Sequence, residues 1–256
     1  MGSVVRGLAA GLIVLLLVCV AAVYFVNPSF DFDYAPLREV LVLAFVALPS
    51  VIIAFISARA YMKYGSVVLL LLGCGVVVFG ATQVATVFLT GSSYTNISAS
   101  VFYIGSIVAG VLHLVGSVAL TLGKNPTLMK RRVISIVAAY AGLLLLISFV
   151  VVVAVQGISP VFMTGTGSTS LSVWSRIMLL IFFAIPSALF MLQYRRSGST
   201  ILYWYSLALA LVAINAILLM FSAPSDSLLA WLGRIVTYVS GVYFIASVVS
   251  SRKIND

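Results

Sequence analysis

Charged side chains are scarce in this sequence, and the few that fall inside apolar stretches are where chemistry has to be sought. Glu39 is the only carboxylate in such a stretch, and Arg38, Arg176 and Arg234 are the arginines placed similarly. A charge carried into a bilayer is costly, so it is kept for pairing, for a ligand or for a water-filled cavity. Arg38 and Arg176 lie near the ends of their stretches, where a long side chain can snorkel to the headgroups. Arg234 follows Trp231-Leu232-Gly233 and lies deeper, so snorkelling is harder from there. Two readings stay open: a structural Arg234–Glu39 pair between helices, and a pocket lined by Glu39, Arg176, Arg234, Trp174 and Trp231. Arginines beside aromatic rings would suit an anionic or planar ligand.

Three further polar residues interrupt apolar runs. His113 shares a helical face with Ser106, Gly110 and Ser117, the small and polar composition of a helix–helix contact. It reads as a histidine bonded across that contact, with a proton relay as the rival. Gln83 shares a stripe with Gly80 and Thr90, and Asn215 shares one with Ala208 and Ser222; both read as interhelical hydrogen-bonding residues. One histidine is too few for a metal or haem site, so no metal or cofactor is expected. HExxH, GxSxG and phosphate-loop motifs are absent, as is a carboxylate pair within one stretch, so catalysis is not expected.

The elements that must hold these residues follow from composition. Of 256 residues, 63% are hydrophobic and 7% charged, and mean hydropathy is +1.26. Soluble domains carry about 25% charged residues, so the solvent of this chain is lipid. Eight apolar stretches, near 4–26, 36–60, 65–90, 97–122, 133–156, 172–193, 200–222 and 228–250, each approach the length of a bilayer-crossing helix. The expected fold is an all-α polytopic bundle filling 1–256 as one membrane domain, with the first stretch a retained signal anchor. Cys19 and Cys74 sit at different depths and are expected to stay unpaired.

The net charge of +9 is topological. Arg6, Arg59, Lys63, Lys124, Lys130 to Arg132, Arg195, Arg196, Arg252 and Lys253 fall on one set of connections. Asp31, Asp33, Glu39 and Asp226 fall on the other. The positive-inside rule then puts both termini in the cytoplasm of a multi-pass cell-membrane protein. The bilayer is the expected partner and nucleic acid is not. Asn96-Ile97-Ser98 forms a sequon on the outer side, a triplet common by chance. Trp174 and Trp231 near one face, and Tyr203, Trp204 and Tyr205 near the other, read as interfacial belts.

The second and sixth stretches share a pattern: Leu43 to Ser50 lies over Leu180 to Ser187, each ending in Pro-Ser, with Gly65-Ser66 and Gly198-Ser199 beyond. Ala109-Gly110-Val111 and Ser240-Gly241-Val242 echo each other in the fourth and eighth. This is the pattern of two tandem four-helix halves, 1–128 and 129–256, in parallel topology. Pro49 and Pro186 fall near mid-stretch, where each is expected to kink its helix.

Gln193-Tyr194-Arg195-Arg196, Tyr203-Trp204-Tyr205-Ser206-Leu207, Trp231-Leu232-Gly233-Arg234 and Gly241-Val242-Tyr243 together carry a resemblance. Residues 172–250 are similar to the end of the multi-spanning N-terminal sensor regions of bacterial and archaeal histidine kinases and PAS-containing signalling proteins. The resemblance implies a sensory or interaction module that passes a signal to a cytoplasmic signalling protein by helix repacking. Neither a kinase nor a PAS domain occurs in this chain, so the output would come from a separate partner or a longer parent protein. A small-solute transporter and a non-catalytic subunit among other membrane subunits are the alternatives.

Overall fold

A hydrocarbon layer holds no water, so a chain this apolar satisfies its backbone only inside helices. The computed structural model describes residues 3–26, 35–89, 95–123, 131–164, 167–221 and 227–252. Eight helices in it are long and apolar enough to cross a bilayer. They are span 1 (Ser3–Val26), span 2 (Ala35–Tyr64), span 3 (Val67–Phe88), span 4 (Thr95–Thr121), span 5 (Arg132–Val155), span 6 (Ser170–Ser197), span 7 (Thr200–Phe221) and span 8 (Leu228–Arg252). The chain is therefore an all-α polytopic membrane bundle. One feature not anticipated is a hairpin between spans 5 and 6, in which β1 (Met163–Thr164) pairs antiparallel with β2 (Gly167–Ser168). The hairpin marks the distal end of the bundle; the opposite, terminal end carries Arg6, Arg59, Lys63, Arg131, Arg132, Arg195 and Arg196. Asp31, Asp33, Asp226, Lys124, Lys130 and Lys253 lie outside the described residues.

Spans 3, 4, 7 and 8 are the most buried, whereas spans 1 and 5 leave most of their apolar surface outward, as lipid-facing helices must. Span 2 packs on 3, 3 on 4 and 4 on 6; in the same way span 6 packs on 7, 7 on 8 and 8 on 2. Span 5 lies beside 3 and 4, and span 1 beside 7 and 8. Lipid tails are as apolar as leucine, so close packing and not hydrophobic burial must drive these contacts.

Both prolines sit at such contacts. Proline has no N–H, so Pro49 leaves the carbonyl of Phe45 without its usual donor, and Pro186 does the same to Phe182. Span 2 meets its proline with a π-helical turn, Leu43–Ala47, whereas span 6 remains α-helical through Pro186. Gly241 of span 8 lies directly against the Phe45 carbonyl. Gly110 of span 4 lies against Phe182, where a Cβ would stand 2.7 Å from the Phe182 Cβ and 3.6 Å from its carbonyl oxygen. A bare Cα can approach such an oxygen and offer a weak Cα–H···O contact.

The belt expected near the terminal end is not on the surface. Tyr203, Trp204 and Tyr205 are all buried, stacked in a run that continues to Tyr243 and Phe244. Polar tips explain the difference: inside the bundle these tyrosines find acceptors on neighbouring backbones. The Tyr203 hydroxyl donates to the Arg6 carbonyl at 2.6 Å and the Tyr243 hydroxyl to the Ala9 carbonyl at 2.8 Å. Arg6 Nη1 donates to the Tyr194 hydroxyl at 2.7 Å. Span 1, with almost no buried face, is thus fastened by hydrogen bonds. Arg132 closes the end of span 2 by donating to the carbonyl of Met62 at 2.5 Å. Cys19 and Cys74 are both free.

Because the Phe45 carbonyl is backbone and cannot swing aside, Gly241→Ala should destabilise the protein by about 1–3 kcal/mol or more. Gly142, with open space around its Cα, is the control; Gly142→Ala should be neutral or slightly stabilising. Thermal unfolding in detergent reads both, and equal melting temperatures for the two variants would contradict the close approach.

Candidate functional site

Six of the eight spans enclose a cavity of about 440 Å³ at the distal end, within the range typical of ligand pockets. Spans 1 and 5 contribute nothing to it. Its walls carry three arginines, Arg38 from span 2, Arg176 from span 6 and Arg234 from span 8, together with Gln83, Asn215 and Tyr238. Val42, Val87, Phe102, Leu218 and Leu219 make the rest largely apolar, and no carboxylate is among the described lining residues.

Arg176 is the best defined of the three. It is only 9% exposed. Its Nε donates to the Tyr103 hydroxyl at 2.8 Å and its Nη2 to Ser168 Oγ at 2.8 Å. Both partners are neutral, so the positive charge is held in place without being balanced. A guanidinium has five N–H donors, and these two bonds leave most of them for the cavity. Arg38 is 8% exposed. Neither it nor Arg176 snorkels to the headgroups as expected, because each lines the cavity inside the bundle. Arg234 lies over the Trp231 ring, 4.8 Å from its centroid.

The remaining polar groups of the lining include donors left unused by the protein. Gln83 Nε2 and the Tyr238 hydroxyl are buried atoms without a hydrogen-bond partner among the described residues. Tyr238 lies within electrostatic reach of both Arg38 and Arg234. Arg176, an amide N–H and a phenol, beside two further arginines that line the same space, can meet an acceptor-rich anion.

The other sequence candidates lie elsewhere. Glu39 is half-buried and outside the lining, and among the described residues it makes no ion pair with Arg234. Adjacent residues on a helix point about 100° apart, so Arg38 turns inward and Glu39 does not. Trp174 is 63% exposed, on the outer face of span 6. Trp231 is buried but reaches the cavity only through Arg234. His113 lies below the cavity, its Nδ1 donating to the Ala109 carbonyl at 2.6 Å, among the rings of Phe183, Tyr205 and Phe244. Gly75 packs closely against the imidazole. This aromatic layer floors the site. Between the two, a crevice of about 10 Å³ shares Phe102, Asn215 and Leu219 with the main cavity. Tyr103 and Tyr238 carried no sequence signal, since a tyrosine in an apolar stretch looks like any core aromatic.

Asn96 positions the cavity rim. Its Oδ1 accepts from the backbone N–H groups of Phe162 and Met163 at 2.7 and 3.0 Å, and its Nδ2 donates to the Pro160 carbonyl at 3.3 Å. The amide of the sequon is thus committed to the hairpin, which in turn brings Ser168 to Arg176. Asn96→Ala should cost about 1–3 kcal/mol of local stability and speed proteolysis between 157 and 169; unchanged cleavage would show that the hairpin is held some other way. No family model, curated protein or solved structure matches this chain.

Proposed function

We propose that this membrane protein is a sensory module that binds a small organic anion in the distal cavity and reports its occupancy at the terminal end by helix repacking. One observation carries the reading of the site: a nine-tenths buried Arg176 whose two partners are neutral, facing a space lined by further donors. Such a charge gains most from an anion that accepts from several donors at once. The basic connections at the terminal end support placing that end in the cytoplasm, with the cavity opening to the other side. The aromatic layer around His113 separates the cavity from the terminal end, which favours reception over passage. The resemblance of residues 172–250 to sensor regions of signalling proteins agrees with this, and a cytoplasmic signalling protein would take the output.

A carrier is the second reading, favoured by the matching pattern in which span 4 packs on 6 and span 8 on 2.

The test uses the whole chain in nanodiscs, with acetate, benzoate, succinate and inorganic phosphate added at constant ionic strength. At least one should raise the melting temperature, by about 2.7 kcal/mol of stabilisation at a hundredfold excess over Kd, and Arg176→Ala should abolish the rise. If none of the four stabilises the wild type, the anion site is wrong. Accumulation of the stabilising anion in proteoliposomes beyond empty vesicles would replace the sensor with the carrier.

A further inference from the structure

We propose that the chain is two tandem copies of one four-helix unit, and that Arg38 and Arg176 are the same residue of each copy, facing one cavity as a two-sided clamp for a single oxyanion. The clamp rests on the reading of the cavity as an anion site; the duplication does not.

The packing is the first support. Exchange spans 1–4 for 5–8, and every major contact maps onto another: 2 on 3 onto 6 on 7, 3 on 4 onto 7 on 8, 4 on 6 onto 8 on 2. The peripheral helices obey the same exchange, span 5 beside 3 and 4, span 1 beside 7 and 8. This is the relation expected of parallel repeats about an axis along the membrane normal.

Residue detail is the second. The residue four before each proline meets a glycine from the other half: Gly241 lies against the Phe45 carbonyl and Gly110 against the Phe182 Cβ. From Val46 to Ser57, and from Phe183 to Tyr194, buried and exposed positions run in step. Each of the two spans ends on a glycine with almost the same backbone angles, φ 71° and ψ 8° at Gly65, φ 69° and ψ 5° at Gly198. Span 2 runs four residues further past its proline (65 − 49 = 16 against 198 − 186 = 12), about one helical turn.

The arginines at first break the match. Arg176 is ten residues before Pro186 (186 − 176), but Arg38 is eleven before Pro49 (49 − 38). A π-turn contains one residue more than the α-helix it interrupts, and lets the helix on either side keep its facing. Span 2 has such a turn, Leu43–Ala47, between Arg38 and Pro49; span 6 has none in the matching stretch. Discounting that residue brings Arg38 onto Arg176, and both are buried and line the same cavity. Seven residues before the glycines, the halves diverge: Tyr103 precedes Gly110 and accepts from Arg176, whereas Arg234 precedes Gly241. The copies have kept the clamp and altered the residue beside it.

The experiment titrates benzoate and inorganic phosphate against the wild type, Arg38→Ala, Arg176→Ala and the double variant in nanodiscs, by calorimetry. Each single variant should lose about tenfold to a hundredfold in affinity for the same anion. The double variant should lose less than the product of the two, because both residues hold one group. Wild-type affinity in Arg38→Ala with loss in Arg176→Ala overturns the clamp and leaves the anion site standing. Binding of neither anion by the wild type overturns the clamp, and the site falls with it if acetate and succinate also fail to stabilise the protein. The duplication is then judged by two deletions read from melting temperature. Deleting Ala44, the surplus residue of the π-turn, should leave a folded protein. Deleting Ile181, at the same level of span 6 but in a regular helix with no residue to spare, should turn the Arg176 segment by about 100° and unfold it. Equal damage from both overturns the register argument, and with it the equivalence of the arginines.

Discussion

A carbonyl that loses its helical donor inside a bilayer has no water to turn to, and the packing of this protein is arranged around two such carbonyls. Pro49 and Pro186 release the oxygens of Phe45 and Phe182; Gly241 of span 8 closes directly over the first, and Gly110 of span 4 packs against the Phe182 Cβ beside the second. At Gly241 no other side chain is small enough to bring one helix axis so near another's backbone. The contact fixes span 8 on span 2 and span 4 on span 6. With those two pairs fixed, spans 3 and 7 fill the space between, and spans 1 and 5 are left to the rim.

The same constraint explains the cavity. A bilayer-embedded arginine is tolerated when its donors face protein or a polar space. Arg176 is braced by Tyr103 and by Ser168 from a hairpin that Asn96 holds in register. Bracing of this kind orders the guanidinium in advance, so a ligand need not bear the entropy of fixing a long side chain. The neutral character of the braces matters as much as their position. A carboxylate beside Arg176 would have satisfied the charge and removed the feature on which the proposed anion site rests.

Much of the architecture was legible in the sequence, because hydropathy and length alone determine that eight helices cross the bilayer. Of the site, Arg176, Arg234, Gln83 and Asn215 could be picked out as polar interruptions, and the structure gathers all four in one cavity. Glu39 and Trp174 could not be sorted from them, since a sequence gives depth in the membrane but not the direction a helix face points. Arg38 was assigned to the headgroups on depth alone, and its neighbour Glu39 received the role instead. The tyrosines at 203 and 205 were read as belts for the same reason. Whether a ring near a helix end meets lipid or a neighbouring backbone depends on packing several spans away, as the bond from Tyr203 to Arg6 illustrates.

The π-turn in span 2 is the element that ties these observations together. An insertion of one residue in an α-helix ordinarily rotates everything beyond it by about 100°, which would have turned Arg38 toward lipid. Absorbed as a local bulge, the extra residue leaves the flanking segments where they were. The bulge lies where its strain is least costly, one turn before a proline that already interrupts the ladder. Two defects of the helix thus share one disruption. Their combined effect keeps an arginine facing the cavity and offers a backbone oxygen to Gly241, so the irregular segment contributes both to the site and to the packing that encloses it.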